Sequence, residues 1–239
     1  MNQSFGAIAS NLFRVRQSIA EAAQLAGRKQ DEVRLIAVSK THSYEAVAAA
    51  SAAGQKDFGE STTQEAVPKI SHLAKSSITW HFIGHLQTNK AKFIPGNFSW
   101  LHSLDSLGLA HKISQHAREQ SAAVNILIEV NVTRDTGKHG VVPEALVDFI
   151  EQLIKDDLPA LSLRGLMTIG PHAAAEQEIR RCFAKLRELR DECRKRFALP
   201  DFTELSMGMS GDYVEAIKEG ATMVRVGTAI FGDRDYSRK

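Results

Sequence analysis

The sequence predicts a (β/α)8 barrel of the α/β class with one extra helix at its N-terminus. Three observations carry that expectation. Eight strand-like runs alternate with amphipathic or alanine-rich segments between Val33 and Gly232, and strands separated by helices pair in parallel through right-handed crossovers. Several runs, such as residues 35–38 (Leu-Ile-Ala-Val) and 126–130 (Ile-Leu-Ile-Glu-Val), are largely apolar at successive positions, which suits a sheet covered on both faces. Closure into a barrel accounts for the count of eight. An open doubly wound sheet is the alternative. No Gly-x-Gly-x-x-Gly follows the first strand, which weakens its dinucleotide-binding form.

The first element is an amphipathic helix with Phe5, Ile8, Leu12, Val15, Ile19 and Ala22 on one face and Gly27 as its stop. It is expected to cover the bottom of the barrel. Strands are expected over residues 33–39, 56–59, 79–84, 99–103, 124–130, 162–167, 204–207 and 223–226. Helices are expected over 43–53, 62–74, 86–93, 106–119, 143–154, 174–197 and 211–219. The clearest of these places Ile179, Cys182, Phe183, Leu186, Leu189, Cys193 and Phe197 at helical spacing, with basic residues on the other, solvated face. Pro143 and Asp212 sit where helix starts favour them. No linker, low-complexity segment or repeat interrupts the pattern, so one domain over residues 1–239 is expected.

Composition narrows the function. The net charge is +2 with 24% charged residues, so neither a nucleic-acid footprint nor a steering field is expected. No apolar run approaches the ~20 residues of a membrane span. Residues 1–5 lack the basic start and apolar block of a signal peptide, so the expectation is a cytoplasmic protein, read as a monomer. Cys182 and Cys193 lie on one helix, roughly 16 Å apart at ~1.5 Å per residue. That is too far for a disulfide, so both read as buried apolar side chains.

In barrels of this kind chemistry sits at the C-terminal ends of the strands. The first strand ends at Lys40. A lysine there is costly unless it is used, because desolvation disfavours its charge, and a neutral amine attacks aldehydes. Lys40 is therefore a candidate Schiff-base lysine. The sixth strand ends in Met167 and the eighth in Arg225. After the seventh strand comes Met209-Ser210-Gly211-Asp212, and after the eighth Gly227-Thr228. The loops at these two places often bind phosphate. Gly227 permits close backbone approach and Thr228 adds a hydroxyl. An aldehyde and a phosphate on one small ligand describe pyridoxal 5′-phosphate (PLP). His81 and His85 invite a metal reading, but no third ligand of suitable spacing is evident, and a cavity-lining or hydrogen-bonded role is expected instead.

Ala37-Val38-Ser39-Lys40, Phe58-Gly59-Glu60, the run from His81 to Gln87, the run from Leu205 to Ser210 and the run from Val226 to Gly232 together resemble the pyridoxal phosphate homeostasis protein family. The resemblance spans nearly the whole chain. It implies a fold similar to the barrel domain of alanine racemases. It also implies that Lys40 carries the cofactor as a Schiff base, that Ser210, Gly227 and Thr228 hold the phosphate with the Met209 peptide beside them, and that Arg225 faces the pyridine nitrogen. The family commonly has Asn after Phe-Gly-Glu. Here Ser61 stands in its place, so any contact of that Asn near the ring is not carried over.

An arginine at the ring nitrogen disfavours protonation there, which weakens the ring as an electron sink. A racemase also needs a base on each face of the ring, and in alanine racemases the second comes from another domain. Of the tyrosines, Tyr44 and Tyr213 lie at helix starts and Tyr236 lies near the C-terminus, and none is placed as that base. The expectation is a binding module that stores, buffers or delivers PLP, with apo-enzymes and free amino acids as partners. A slow amino-acid racemase is the alternative. A cofactor-independent lysine aldolase would leave the motifs unexplained.

Overall fold

Eight parallel strands close into a barrel in which every strand neighbours the next in sequence and the last returns to the first. The computed structural model describes residues 5–233. The strands are β1 (Arg34–Val38), β2 (Asp57–Glu60), β3 (Thr79–Phe82), β4 (Trp100–Leu104), β5 (Val124–Glu129), β6 (Leu161–Met167), β7 (Glu204–Ser206) and β8 (Met223–Val226). The helices are α1 (Phe5–Leu25), α2 (Tyr44–Ala52), α3 (Thr63–His72), α4 (Leu107–Glu119), α5 (Leu146–Lys155), α6 (Glu176–Arg196), α7 (Tyr213–Lys218) and α8 (Thr228–Phe231). The expected barrel is thus present, and the expected strands and helices fall within a few residues of their places.

Two elements depart from expectation. Residues 86–93 form a 3-10 stretch, Thr88–Phe93, rather than an α-helix. The segment is short and buries only Ala91, and short connectors commonly take this tighter form. The helix α1 does not cover the bottom of the barrel. It packs against α2, α7 and α8, filling the place in the outer ring that the four-residue α8 is too short to fill. Asn11 Nδ2 donates to Ile230 O (2.8 Å), and Arg28 Nη1 donates to Ala221 O (2.8 Å). Those two bonds tie α1 and the turn that follows it to the segments on either side of β8. Ile8, Leu12, Val15 and Ile19 are buried, so the helical stripe read from the sequence faces the ring.

The main core lies between sheet and helices, with Phe58, Phe82, Leu101, Phe183 and Phe202 fully buried. A separate cluster of Ile36, Trp100, Leu127, Met167 and Met223 forms an apolar layer of its own. Between β5 and β6 the register slips, Ile126 facing Leu163 but Leu127 facing Gly165. Gly165 is needed there, because a Cβ would lie 2.0 Å from Glu204 O. Cys182 and Cys193 are buried, unbridged thiols that burial pushes up to about 11. No helix among the described residues is long and apolar enough to cross a membrane.

Candidate functional site

A cavity of about 510 Å³ opens at the C-terminal ends of the strands, within the usual size for a small-molecule site. Lys40 after β1, Met209 and Ser210 after β7, Arg225 on β8 and Gly227-Thr228 beyond it all line this one cavity. His81 and Met167 do not. Both are buried, Met167 in the separate apolar cluster and His81 in a hydrogen-bond chain. A concavity of about 530 Å³ at the opposite end, around Arg16, Arg34 and Asp57, lies where barrels carry stability rather than chemistry.

Lys40 is half-buried, and the backbone on either side of it is pinned. Lys69, from α3, donates through Nζ to Ser39 O (2.8 Å), Glu60 Oε1 (2.9 Å) and Glu65 Oε1 (2.6 Å). The Ser39 hydroxyl also donates to Glu60 Oε1 (2.6 Å), and the Thr41 N–H donates to Glu65 Oε1. Burial pushes the Glu60 carboxyl up, against the pull of Lys69 and Ser39. Thr41 has φ +68, an unusual value for a β-branched residue. Such conformations cost about 1–3 kcal/mol and persist where surrounding structure holds them. The carboxylate on the Thr41 N–H supplies that hold, so the turn following Lys40 is fixed by the same three side chains. Glu60 belongs to a sequence motif noted above, but Lys69 carries no motif and was not foreseen.

The turn after β7 is built around Gly208 (φ +91), where a Cβ would lie 2.6 Å from Ala216 Cβ and 2.9 Å from Tyr213 Cα. The Met209 N–H donates to Asp212 Oδ1 (2.6 Å), and Met209 O accepts from the N–H groups of Asp212 and Tyr213. Both polar groups of Met209 are thus used within the turn, and its side chain is what remains for the cavity. The Gly227 N–H donates to Ser210 Oγ (3.4 Å), which joins the two loops expected to form the phosphate cup. Gly227 also packs on the end of β1, where a Cβ would stand 3.1 Å from Val38 O. The Tyr213 hydroxyl donates to Ser18 Oγ on α1 (3.0 Å), and Tyr44 stacks on His72. Neither lines the cavity, and Tyr236 lies outside the described residues.

Beneath the cavity a hydrogen-bond chain crosses the barrel. Arg225 Nη1 donates to Ser206 Oγ (2.6 Å) and Nη2 to Thr168 O (2.9 Å). Ser206 Oγ lies 2.8 Å from His102 Nδ1, His102 Nε2 lies 2.9 Å from His81 Nδ1, and His81 Nε2 lies 2.9 Å from Asp57 Oδ1. The Asp57 carboxylate only accepts, so with neutral imidazoles the network has one sense: His81 donates to Asp57, His102 to His81, and Ser206, which accepts from Arg225, to His102. Burial holds His81 below its ordinary value and His102 well below it. Burial likewise lowers Arg225 to about 10, opposed by Glu129 and Asp212.

Glu129, at the end of β5, also lines the cavity and was missed in the sequence. The signal was a carboxylate inside an apolar run. Burial and the nearby Asp105 charge raise it to about 7, with Arg225 pulling the other way. A carboxyl whose folded value exceeds its ordinary 4.5 adds stability that is full below pH 4.5 and is lost as pH rises through 7. Its size is on the order of 3 kcal/mol. Melting temperature against pH should therefore fall less steeply between these limits in Glu129→Gln protein. An unchanged slope would show that Glu129 ionises normally.

The model for the alanine racemase N-terminal domain matches residues 10–235. A curated Pseudomonas aeruginosa protein named pyridoxal phosphate homeostasis protein is 44% identical over 229 residues, covering 96% of each chain. The chain belongs to the pyridoxal phosphate homeostasis protein family. PipY of Synechococcus elongatus, solved with PLP bound, is similar at 39% identity and TM-score 0.80, over 90% of this chain and all of that one. An alanine racemase of Clostridium difficile 630 is 16% identical with TM-score 0.73, over 95% of this chain but 57% of that one. That second likeness concerns the fold alone. Members of the family and the racemase domain thus share the barrel, while the chain matches its family relatives over most of its length.

Proposed function

We propose that this chain binds PLP in the mouth cavity, as a one-domain cytoplasmic protein that stores, buffers or delivers the cofactor with little or no turnover of its own. The observation that carries the reading is the convergence, in one cavity, of a half-buried amine, two hydroxyls on joined loops and a buried guanidinium. These groups fit the ligand's aldehyde, phosphate and ring nitrogen in turn. Lys40 is the covalent anchor, as a Schiff base. Ser210 and Thr228 hold the phosphate where Gly227 lets the backbone approach, with the Met209 side chain alongside. Arg225 meets the ring nitrogen. His81 acts from below, through the chain that orients Arg225, and Met167 acts by packing.

When bound, PLP supplies an aldehyde for amines and a ring that withdraws electrons. Arg225 limits the second of these, since it donates and cannot accept a proton from the ring. Names of the curated relatives and the PLP in PipY support the reading. Purified holo-protein mixed with a PLP-dependent apo-enzyme should restore that enzyme's activity. Conversion of either enantiomer of an amino acid at roughly 1 s⁻¹ or faster, abolished in Lys40→Ala protein, would favour a racemase instead.

The cup has its own test. Ser210→Ala combined with Thr228→Val removes two hydroxyls from an anion. Hydrogen bonds to charged groups contribute on the order of 1.5–3 kcal/mol each, so PLP affinity should fall at least about tenfold. Binding of pyridoxal, which lacks the phosphate, should not change. Equal losses for both ligands would place the phosphate elsewhere.

A further inference from the structure

Three side chains at the rim of the cavity are left over from this reading. His85 follows β3, Asp105 follows β4, and His139 lies in the segment after β5, so three consecutive strand ends deliver them to one place. Their ligand atoms all lie within 4.8 Å of one another. His85 Nδ1 is 3.5 Å from Asp105 Oδ2, and the two imidazoles stack with centroids 3.6 Å apart and planes 10° from parallel. We propose that His85, Asp105 and His139 bind a divalent first-row transition ion of the zinc class, with its open positions facing the cavity.

The donor set suits such an ion. Imidazole and carboxylate are its usual ligands, and three protein ligands leave room for a water or for a group of a ligand. At metal–ligand distances of about 2.0–2.1 Å, neighbouring donors in a tetrahedral site stand roughly 3.4 Å apart. The His85–Asp105 pair already has that spacing. His139 must close the remaining gap, and one ring must turn so that both lone pairs converge. Exposure of both histidines permits the turn.

The backbone beneath His139 is anchored, which keeps that movement small. Asn131 Nδ2 donates to Asp135 O (2.8 Å) and Lys138 O (3.3 Å), and the Val141 N–H donates to Glu129 O (2.8 Å). Gly140 (φ +113) packs so closely on Glu129 and Asn131 that a Cβ would lie 3.0 Å from their backbone. Lys138, the nearest cation in sequence, ties its Nζ to Gly170 O (2.9 Å), on the far side toward β6. Because His85 and His139 also line the cavity that holds Lys40, an ion here would meet the carboxylate of an amino acid entering the mouth. The ion site itself does not depend on the cofactor reading.

The test uses untagged, full-length protein stripped with a chelator and titrated with Co²⁺ by calorimetry and visible spectroscopy. About one ion per chain should bind, with an absorption spectrum of nitrogen and oxygen ligation. Losing a ligand should weaken binding at least as much as the roughly tenfold that follows loss of a ligand's supporting hydrogen bond. His85→Ala, Asp105→Asn and His139→Ala should each show this, while His111→Ala, at an exposed site elsewhere, should not. Circular dichroism would establish that the variants are folded. Absence of Co²⁺ binding in the unsubstituted protein, or unchanged affinity in the double variant His85→Ala, His139→Ala, would overturn the proposal.

Discussion

Lys40→Ala protein is expected to lose the imine absorption of bound PLP entirely, while keeping weakened binding through the phosphate. The reason lies in how separately the two ends of the cavity are built. Lys40 stands on a turn held by Lys69, Glu60 and Glu65. The cup stands on the Gly208 and Gly227 turns, joined through Ser210. Removing the amine leaves the second assembly in place. A spectral titration with PLP, followed by equilibrium dialysis, measures both parts. An imine band that persists in the variant would mean that another lysine carries the cofactor.

Lys69→Met should produce the largest loss of stability of any single change near the site. Lys69 is nearly fully buried and donates to two carboxylates and the Ser39 carbonyl. Its loss leaves Glu60, whose Oε2 already has no partner among the described residues, as a buried acid without its cation. Breaking such a pair from one side costs about 3–5 kcal/mol. For a chain of this size 1 kcal/mol moves the melting temperature by about 2–4 °C, so a fall of roughly 6–20 °C is expected. The double variant Lys69→Met, Glu60→Gln should recover part of the loss, since the unpaired charge goes with it. A shift of less than about 2 °C in the single variant would show that water, not Lys69, satisfies Glu60. PLP should also bind more weakly, because Ser39 and Thr41 flank Lys40.

Much of this was legible because barrel strands carry their signal locally. Leu35, Ile36, Ala37 and Val38 form an apolar run that reads as a buried strand, and the rule that chemistry follows such strands picks out Lys40, Arg225 and Gly227 without any tertiary information. The resemblance to a known family added the roles. What the sequence hid depends on contacts between distant segments. Lys69 looks like any helical lysine until α3 turns it toward Ser39, thirty residues earlier. His102 sits in an ordinary β4 run, and only barrel closure puts it between His81 and Ser206, the latter 104 positions away. Spacing along the chain could not supply a third ligand for His85, because Asp105 and His139 come from the next two strand ends. The misplaced α1 has a related cause. Its apolar stripe shows that one face is buried, but not against which neighbour.

Borohydride reduction of the PLP-loaded protein, followed by peptide mapping, tests the central claim most directly. Reduction converts an imine into a stable amine and leaves the pyridoxyl group on the lysine that held it. The label is expected on Lys40, at close to one per chain. A label on Lys138, which also lines the cavity, or on Lys90, or no label on a protein that nonetheless binds PLP, would contradict it.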